Sequence, residues 1–482
     1  MNEKKCKRLT LATMCIATFM AILDTTVVNL GLHAIQNDLH VSLSVLQWVL
    51  DVYNLVYAGF ILTGGVLGDL FGRRRIFMFG IALFTLGCLT CALAPNSALL
   101  LVGRGISGLG AALQLPGALS ILTVTFWEPR ERAHAIAIWG GFNGLAMAVG
   151  PTLGGLLVDA LGWRSIFYPV VPFGVAALAL AWAGVAESAN PEGRRIDLPG
   201  QISSILALGL LAFAFIEAPA LHWSSPVILG CLAGSAVSLA VLLKASARPG
   251  ALLSLSVFRN RAFATAIADA GMMTFGFYTL LFIFPLFFQA VRGDSALVAG
   301  LRLLPWSLTI VMMAPIAGPL LNRVGPRALI GSGMVLFGAS LWLLGAVAGK
   351  SAYIVVLPLL AAIGLGNGLI FGPIMTVAVS SVGNERSGMS SGLVNVARMV
   401  GATLGVAISG SIFGAHVVQA GHDAAKFVTG MHKAFFVAGV DELAGGLLAL
   451  CLLGRVVGQA RDKEPAEMRY DQRCEEGSQA AD

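Results

Sequence analysis

Three ionisable side chains, Asp24, Asp51 and Arg104, stand inside apolar runs long enough to cross a lipid bilayer. Such groups cost at least about 2.5 kcal/mol at a bilayer centre, so each should face a cavity or a partner. A carboxyl group held there can take up a proton from one side and release it to the other. A guanidinium, which stays protonated, can serve as its movable counter-charge. At about 1.5 Å per residue, Asp24 lies roughly 12 Å below the outer end of its run, Asp51 roughly 9 Å and Arg104 roughly 9–10 Å. The two acids and the base therefore share a layer, and the chemistry this suggests is reversible protonation coupled to ion pairing, with Asp24 as the first carrier. A permanent salt bridge that fixes helix packing is the alternative reading of the same residues.

A second set follows later in the chain. Asp269 lies about 9 Å from the inner face and Arg302 about 8 Å from the outer face. Arg398 and Asp441 both fall roughly 15 Å deep, so Arg398 is expected to pair with Asp441 or its neighbour Glu442. Other chemistries find little support. Cys88 and Cys91 have CxxC spacing but lie in an apolar run without further ligands, which points to helix packing, and no metal site is expected. Gly349-Lys350-Ser351 lacks the upstream glycine of a phosphate loop, and no GxSxG or HExxH pattern occurs, so neither an ATP-driven pump nor an enzyme is expected.

The elements that must position these residues are membrane helices. The chain has 482 residues, of which 57% are hydrophobic and 12% charged. Its mean hydropathy is +0.83, far from the composition of a soluble domain. Fourteen apolar stretches can be drawn: 10–32, 46–67, 76–94, 98–123, 135–158, 166–186, 199–218, 225–243, 263–289, 297–320, 328–348, 353–379, 388–416 and 432–454. Those at 263–289 and 388–416 are long enough for a tilt or an interfacial turn. Lys4, Lys5, Lys7 and Arg8 lead into the first stretch, which has no cleavage site at its end and reads as a retained span.

With an even count, most basic residues fall on the side of the termini, among them Arg73–Arg75, Arg130, Arg132, Arg194, Arg195, Arg323, Arg327, Arg386 and those of the tail. The opposite loops hold Arg164, Arg292, Lys350, Lys426 and Lys433. This asymmetry places both termini in the cytoplasm. It also accounts for the formal charge of +6 without a nucleic-acid partner. The expected organisation is a cytoplasmic N-terminus (1–9), a six-helix bundle (10–186), a linker carrying two extra helices (187–262), a second six-helix bundle (263–454) and a polar cytoplasmic tail (455–482).

Between the second and third stretches, Gly65-Val-Leu-Gly68-Asp69-Leu-Phe-Gly72-Arg73-Arg74-Arg75 makes a basic turn at a membrane face. A degenerate copy, Gly318-Pro-Leu-Leu-Asn322-Arg-Val-Gly325-Pro-Arg327, stands in the second half, with Asn322 in the place of Asp69. These strings resemble the signature loop of the major facilitator superfamily. Leu23-Asp24-Thr25-Thr26-Val27-Val28-Asn29 is similar to a first-helix signature of its fourteen-span drug:proton antiporters, the EmrB/QacA type, although the usual following proline is absent and His33 stands near its place. Leu100-x-x-x-Arg104-x-x-x-Gly108-x-Gly110 resembles that family's proton-transfer motif in helix 4, and Gly150-Pro151-Thr-Leu-Gly154-Gly155 its antiporter motif in helix 5. Phe215-Ile-Glu217-Ala-Pro219 with His222-Trp223 is similar to methylenomycin-resistance exporters. The resemblance covers the chain from about Leu9 to Leu453 and implies two six-helix bundles with an inserted helix pair, an all-α major facilitator fold.

The resemblance further implies export of hydrophobic or cationic small molecules in exchange for protons. Trp48, Tyr53, Tyr57, Phe142, Phe275, Tyr278, Phe282 and Trp306 are the aromatic residues expected to line the central chamber. The expected partners are protons, a small-molecule cargo and the lipid bilayer of the cell membrane, with no cofactor, and the protein is expected to be a monomer. Uptake or export of one specific metabolite, and a non-transporting receptor, are the rival readings.

Overall fold

The computed structural model describes residues 3–191, 197–246, 255–349, 351–382, 387–417 and 424–454. The polar tail from Arg455, Arg194, Arg195, Lys350, Arg386 and much of the connector between Lys244 and Arg261 lie outside the described residues. The helices are α1 (Glu3–Leu39), α2 (Leu43–Phe71), α3 (Arg73–Ala92), α4 (Ser97–Thr125), α5 (Pro129–Leu161), α6 (Val170–Gly184), α7 (Leu198–Leu221) and α8 (Pro226–Ser246). The second half adds α9 (Arg261–Leu286), α10 (Ala296–Arg302), α11 (Leu304–Ala348), α12 (Tyr353–Ser380), α13 (Ser387–Val417) and α14 (Ala424–Leu452).

Several helices start where a short polar side chain takes over an orphan backbone donor. Asn96 accepts from Leu99 N at 3.0 Å before α4, and Asp197 from Gly200 N at 2.9 Å before α7. Asn260 accepts from Ala262 N at 2.9 Å before α9, and Ser295 from Val298 N at 3.3 Å before α10. Each such cap is worth about 1 kcal/mol. Where the expected proline is missing, α1 continues through His33 without a break, and Asn37 bonds the His33 ring at 3.2 Å. The long ninth stretch ends in a π-turn, Phe287–Val291.

Among the described residues, thirteen helices are long and apolar enough to cross a membrane. One of them does so twice. At 45 residues, α11 would be about 68 Å long if straight, over twice the thickness of a hydrocarbon core. It breaks at Gly325, whose φ is 80°. Both limbs then pack along α12: Thr309 of the first limb donates to Ala361 O at 3.1 Å, and Gly366 of α12 lies against Phe337 of the second. The fourteen crossings expected from the sequence are therefore present, with the tenth made by α10 and the first limb of α11.

Gly72 occupies the matching position between α2 and α3, with φ 105°. Side chains other than glycine are strained at such angles. The two copies of the signature loop thus turn on the same kind of residue at the same place, which is the mark of two parallel repeats. In both halves the fourth helix lies between the second and third: α4 between α2 and α3, and α12 between the two limbs of α11.

The inserted pair α7–α8 packs beside the seam between α2 and α13 and touches both halves through α7. Thr63 of α2 donates to Gln201 at 2.7 Å, Trp48 Nε1 to Glu217 at 2.8 Å, and Ala212 and Ile216 pack on Ala407 of α13.

Candidate functional site

Asp24 and Arg104 meet in the middle of the N-terminal bundle. Nη1 of Arg104 lies 2.6 Å from Oδ2 of Asp24, and neither side chain is more than 1% exposed. The guanidinium has further holds: Nε donates to Val49 O of α2 at 2.9 Å, and Cζ sits 4.5 Å from the Tyr53 ring centroid. The other carboxylate oxygen of Asp24 faces Cys88 Sγ of α3 at 3.8 Å. One arginine therefore ties α4 to both α1 and α2, and the bridging acid is the only part of that tie a proton can cancel.

Asp51, expected at the same depth, does not share the partnership. It is fully buried, and neither carboxyl oxygen has a hydrogen-bond partner; Asn54, one turn on, comes near without an aligned bond. Across the midline, Tyr278 of α9 is within electrostatic reach of Asp24, Asp51 and Arg104, and Tyr57 within reach of Tyr278 and Arg398. Tyr53 and Tyr57 stack with centroids 6.2 Å apart. Three tyrosines from both halves thus face the charged layer.

The glycine-proline string of α5 touches this layer and the second half at once. Gly150 lies against the Thr26 side chain, and a Cβ on Gly154 would be 3.0 Å from Val27 Cα, both within one turn of Asp24. On the same helix, Gly155 lies against the Ala296 backbone, and Gly300 of α10 against that of Pro151. Asp159, two turns from Pro151, caps α10 by accepting from Ala296 N and Leu297 N at 2.9 Å each. Helix α5 is thus fitted closely between α1 and α10 at its glycines.

At the turn between α2 and α3, Asp69 accepts from Arg73, with Nη2 at 2.8 Å and Nε at 3.0 Å. The segment after α6 closes over this turn. Asn190 N donates to Asp69 O at 3.0 Å, Arg73 N to Ser188 O at 2.8 Å, and Arg74 N to Glu187 at 3.0 Å, while Arg74 Nη2 donates to Trp182 O at 2.8 Å. Gly72 leaves the space that the Glu187 carboxylate fills, whereas Gly65 and Gly68 face Pro116 and Arg73 across ordinary contact distances.

Other placements differ from the sequence-based expectation. Arg398 does not pair with Asp441 or Glu442. Its Nη2 donates to Phe371 O at 2.7 Å, and its Cζ lies 3.9 Å from the Phe371 ring centroid. The reason is rotation about the helix axis: matched depth brought these residues level, but they point to different neighbours. Trp48 turns to α7 rather than the centre. Phe282 and Trp306 are fully buried, Trp306 against Phe277 with centroids 5.1 Å apart, and Phe142 is exposed on the flank of α5. Phe275 packs its backbone against Gly405 of α13. Glu187 and Asp159 escaped the sequence reading, although each is an acid just beyond or near the end of a span, where capping of a neighbouring helix is to be expected.

A polytopic helical protein of two repeated halves, with a sealed ion pair inside the first of them, is the architecture of a membrane carrier. The family model described as Major Facilitator Superfamily matches residues 14–406, and the chain belongs to that family. Over 410 residues it is 39% identical to the Multidrug resistance protein Stp of Mycobacterium tuberculosis (strain CDC 1551 / Oshkosh), covering 84% of this chain and 76% of that protein. It is 31% identical to the Methylenomycin A resistance protein of Bacillus subtilis (strain 168), covering 94% and 96%. The fold is also that of a bacterial homologue of the human lysosomal transporter Spinster, solved inward-facing and unoccupied, with a TM-score of 0.67 at 16% identity over 92% of this chain and 96% of that one.

Proposed function

We propose that this protein exports hydrophobic or cationic small molecules across the cell membrane in exchange for protons, by alternating access, with both termini in the cytoplasm. The observation that carries this reading is the Asp24–Arg104 pair, fully enclosed and level with the α5 glycines that contact both halves. In the state described, the carboxylate neutralises Arg104. A proton arriving from the outer side on Asp24 Oδ2 converts it to a carboxylic acid and cancels the ionic part of the tie. Arg104 keeps its bonds to Val49 O and the Tyr53 ring, so α4 stays docked on α2 while α1 is released from it. Residues 10–186 and 263–454 are the two bodies that move, and 187–262 joins them. Resistance and export are what the names of the relatives describe, which supports outward over inward transport.

Inside-out membrane vesicles energised by respiration test this with ethidium as probe. Accumulation that a protonophore collapses is expected, and Asp24→Asn should abolish it while the protein remains in the membrane. Undiminished, gradient-driven accumulation by that variant would remove Asp24 from the mechanism.

A further inference from the structure

Deep in the C-terminal bundle, Asp269 of α9 and Glu442 of α14 are both fully buried, and none of their four carboxyl oxygens has an aligned hydrogen-bond partner; the Gly276 N–H comes near Glu442 without an aligned bond. Each is seated over a glycine of the other helix. Glu442 rests on α9 at Gly276, where a Cβ would run into its Oε1. A Cβ on Gly445 of α14 would lie 3.5 Å from Asp269 Oδ1 and 3.1 Å from Met272 Sδ. The second limb of α11 closes the space, with Gly338 behind the Glu442 stem and Met334 over Gly445.

Among the described residues, no cation reaches this seat. The charges felt by Glu442 are Asp441 and Asp269. From the neighbouring helices, Arg398 of α13 is turned to Phe371, Lys433 of α14 to His416 and Arg302 to Asp294. Tyr278 faces the opposite side of α9, Arg323 and Arg327 belong to the turn at Gly325, and the described part of α12 carries no ionisable group but Tyr353 at its far end. Two carboxyl groups enclosed by methionine and glycine, with a third acid beside them, cannot all be ionised.

We propose that Asp269 and Glu442 form a second proton-binding site, in the C-terminal bundle and separate from the Asp24–Arg104 pair. Each proton taken up turns one carboxylate into a carboxylic acid, and its release reverses this. Helix α9 connects the two sites: its Tyr278 side reaches the charged layer of the N-terminal bundle, and its Asp269 and Gly276 side bears on α14. The coupling of this site to cargo rests on the exporter reading above; the binding of protons does not.

An infrared pH titration of the full chain in lipid vesicles tests the site directly. The wild type should show a carbonyl stretch of protonated carboxyl near neutral pH. Asp269→Asn and Glu442→Gln should each reduce that band, and it should persist in Asp24→Asn. These amide replacements need no proton and should leave the fold intact. Should either variant fail to fold, labelling of the wild type by dicyclohexylcarbodiimide, which attacks protonated carboxyls in apolar surroundings, is expected at Asp269 or Glu442 by mass spectrometry. An unchanged band in both variants, or no label at either acid, overturns the proposal. In vesicles that exchange ethidium, the variants should also move fewer protons per ethidium and lose part of the pH dependence. A reduced band with an unaltered ratio and pH profile would make the acids structural and overturn their part in transport. Absence of ethidium exchange by the wild type would count against the exporter reading alone, because the infrared titration still decides the site.

Discussion

Arg104 and Arg398 are both arginines sunk in the middle of a six-helix bundle, and they are held in opposite ways. Arg104 has an acid at 2.6 Å, a carbonyl and a ring. Arg398 has a carbonyl and a ring but no acid, and its Nε is buried without a partner. The acids differ to match: Asp24 is neutralised across helices, whereas Asp269 and Glu442 both lie at the contact of α9 with α14, with no cation among the described residues. Around its central arginine, the same repeated scaffold thus holds a closed pair in one half and separated, unmatched groups in the other, although Asp51 of the first half is also without a partner. In a low-dielectric interior, the first arrangement resists loss of either member and the second tolerates neutralisation.

The largest effect should appear when that contrast is tested by deletion. Arg104→Met leaves Asp24 sealed without a counter-charge and should cost about 3–5 kcal/mol, read as a lowered thermal midpoint in detergent. The double variant Asp24→Asn with Arg104→Met should recover most of that loss, whereas Asp269→Asn and Glu442→Gln should lower the midpoint little or raise it. If Asp269→Asn proved as damaging as Arg104→Met, the two halves would not differ as described.

The signature loops offer a smaller test. Gly72→Ala and Gly325→Ala each place a side chain at positive φ, at a cost of about 1–2 kcal/mol. Gly72→Ala should be the worse because it also displaces the Glu187 carboxylate. Equal losses would mean that the cover over the first loop adds nothing.

The smallest effect concerns the pair that did not form. A double-mutant cycle of Arg398→Met with Glu442→Gln should give a coupling below about 0.5 kcal/mol, the level expected of groups without a direct contact. A coupling well above that would restore the pairing inferred from depth.

That failed pairing shows where reading the sequence stops. Span number and the two loop turns were legible because apolar length and glycine placement act locally: Gly72 and Gly325 turn as their matching motifs require. Depth was reckoned by counting residues along a helix. It brought Asp24, Asp51 and Arg104 to one level but could not choose between the acids. It also levelled Arg398 with Asp441, which the structure keeps apart. Rotation about each helix axis is set by tertiary packing, such as Gly150 on Thr26 or Glu442 on Gly276, and no single stretch of sequence encodes it. The aromatic residues failed for the same reason: Trp48 and Tyr53 are five positions apart on α2, yet one meets Glu217 and the other Arg104.

The placement of α7 has a consequence for traffic from the bilayer. Two repeated halves meet along two flanks, and on one of them α7 lies across α2 and α13 and bonds to Thr63 and Trp48. On the other, α5 and the first limb of α11 leave Phe142, Leu145, Met312 and Ile316 uncovered among the described residues. The inserted helices therefore screen one flank of the seam from the leaflet and leave the other in direct contact with it.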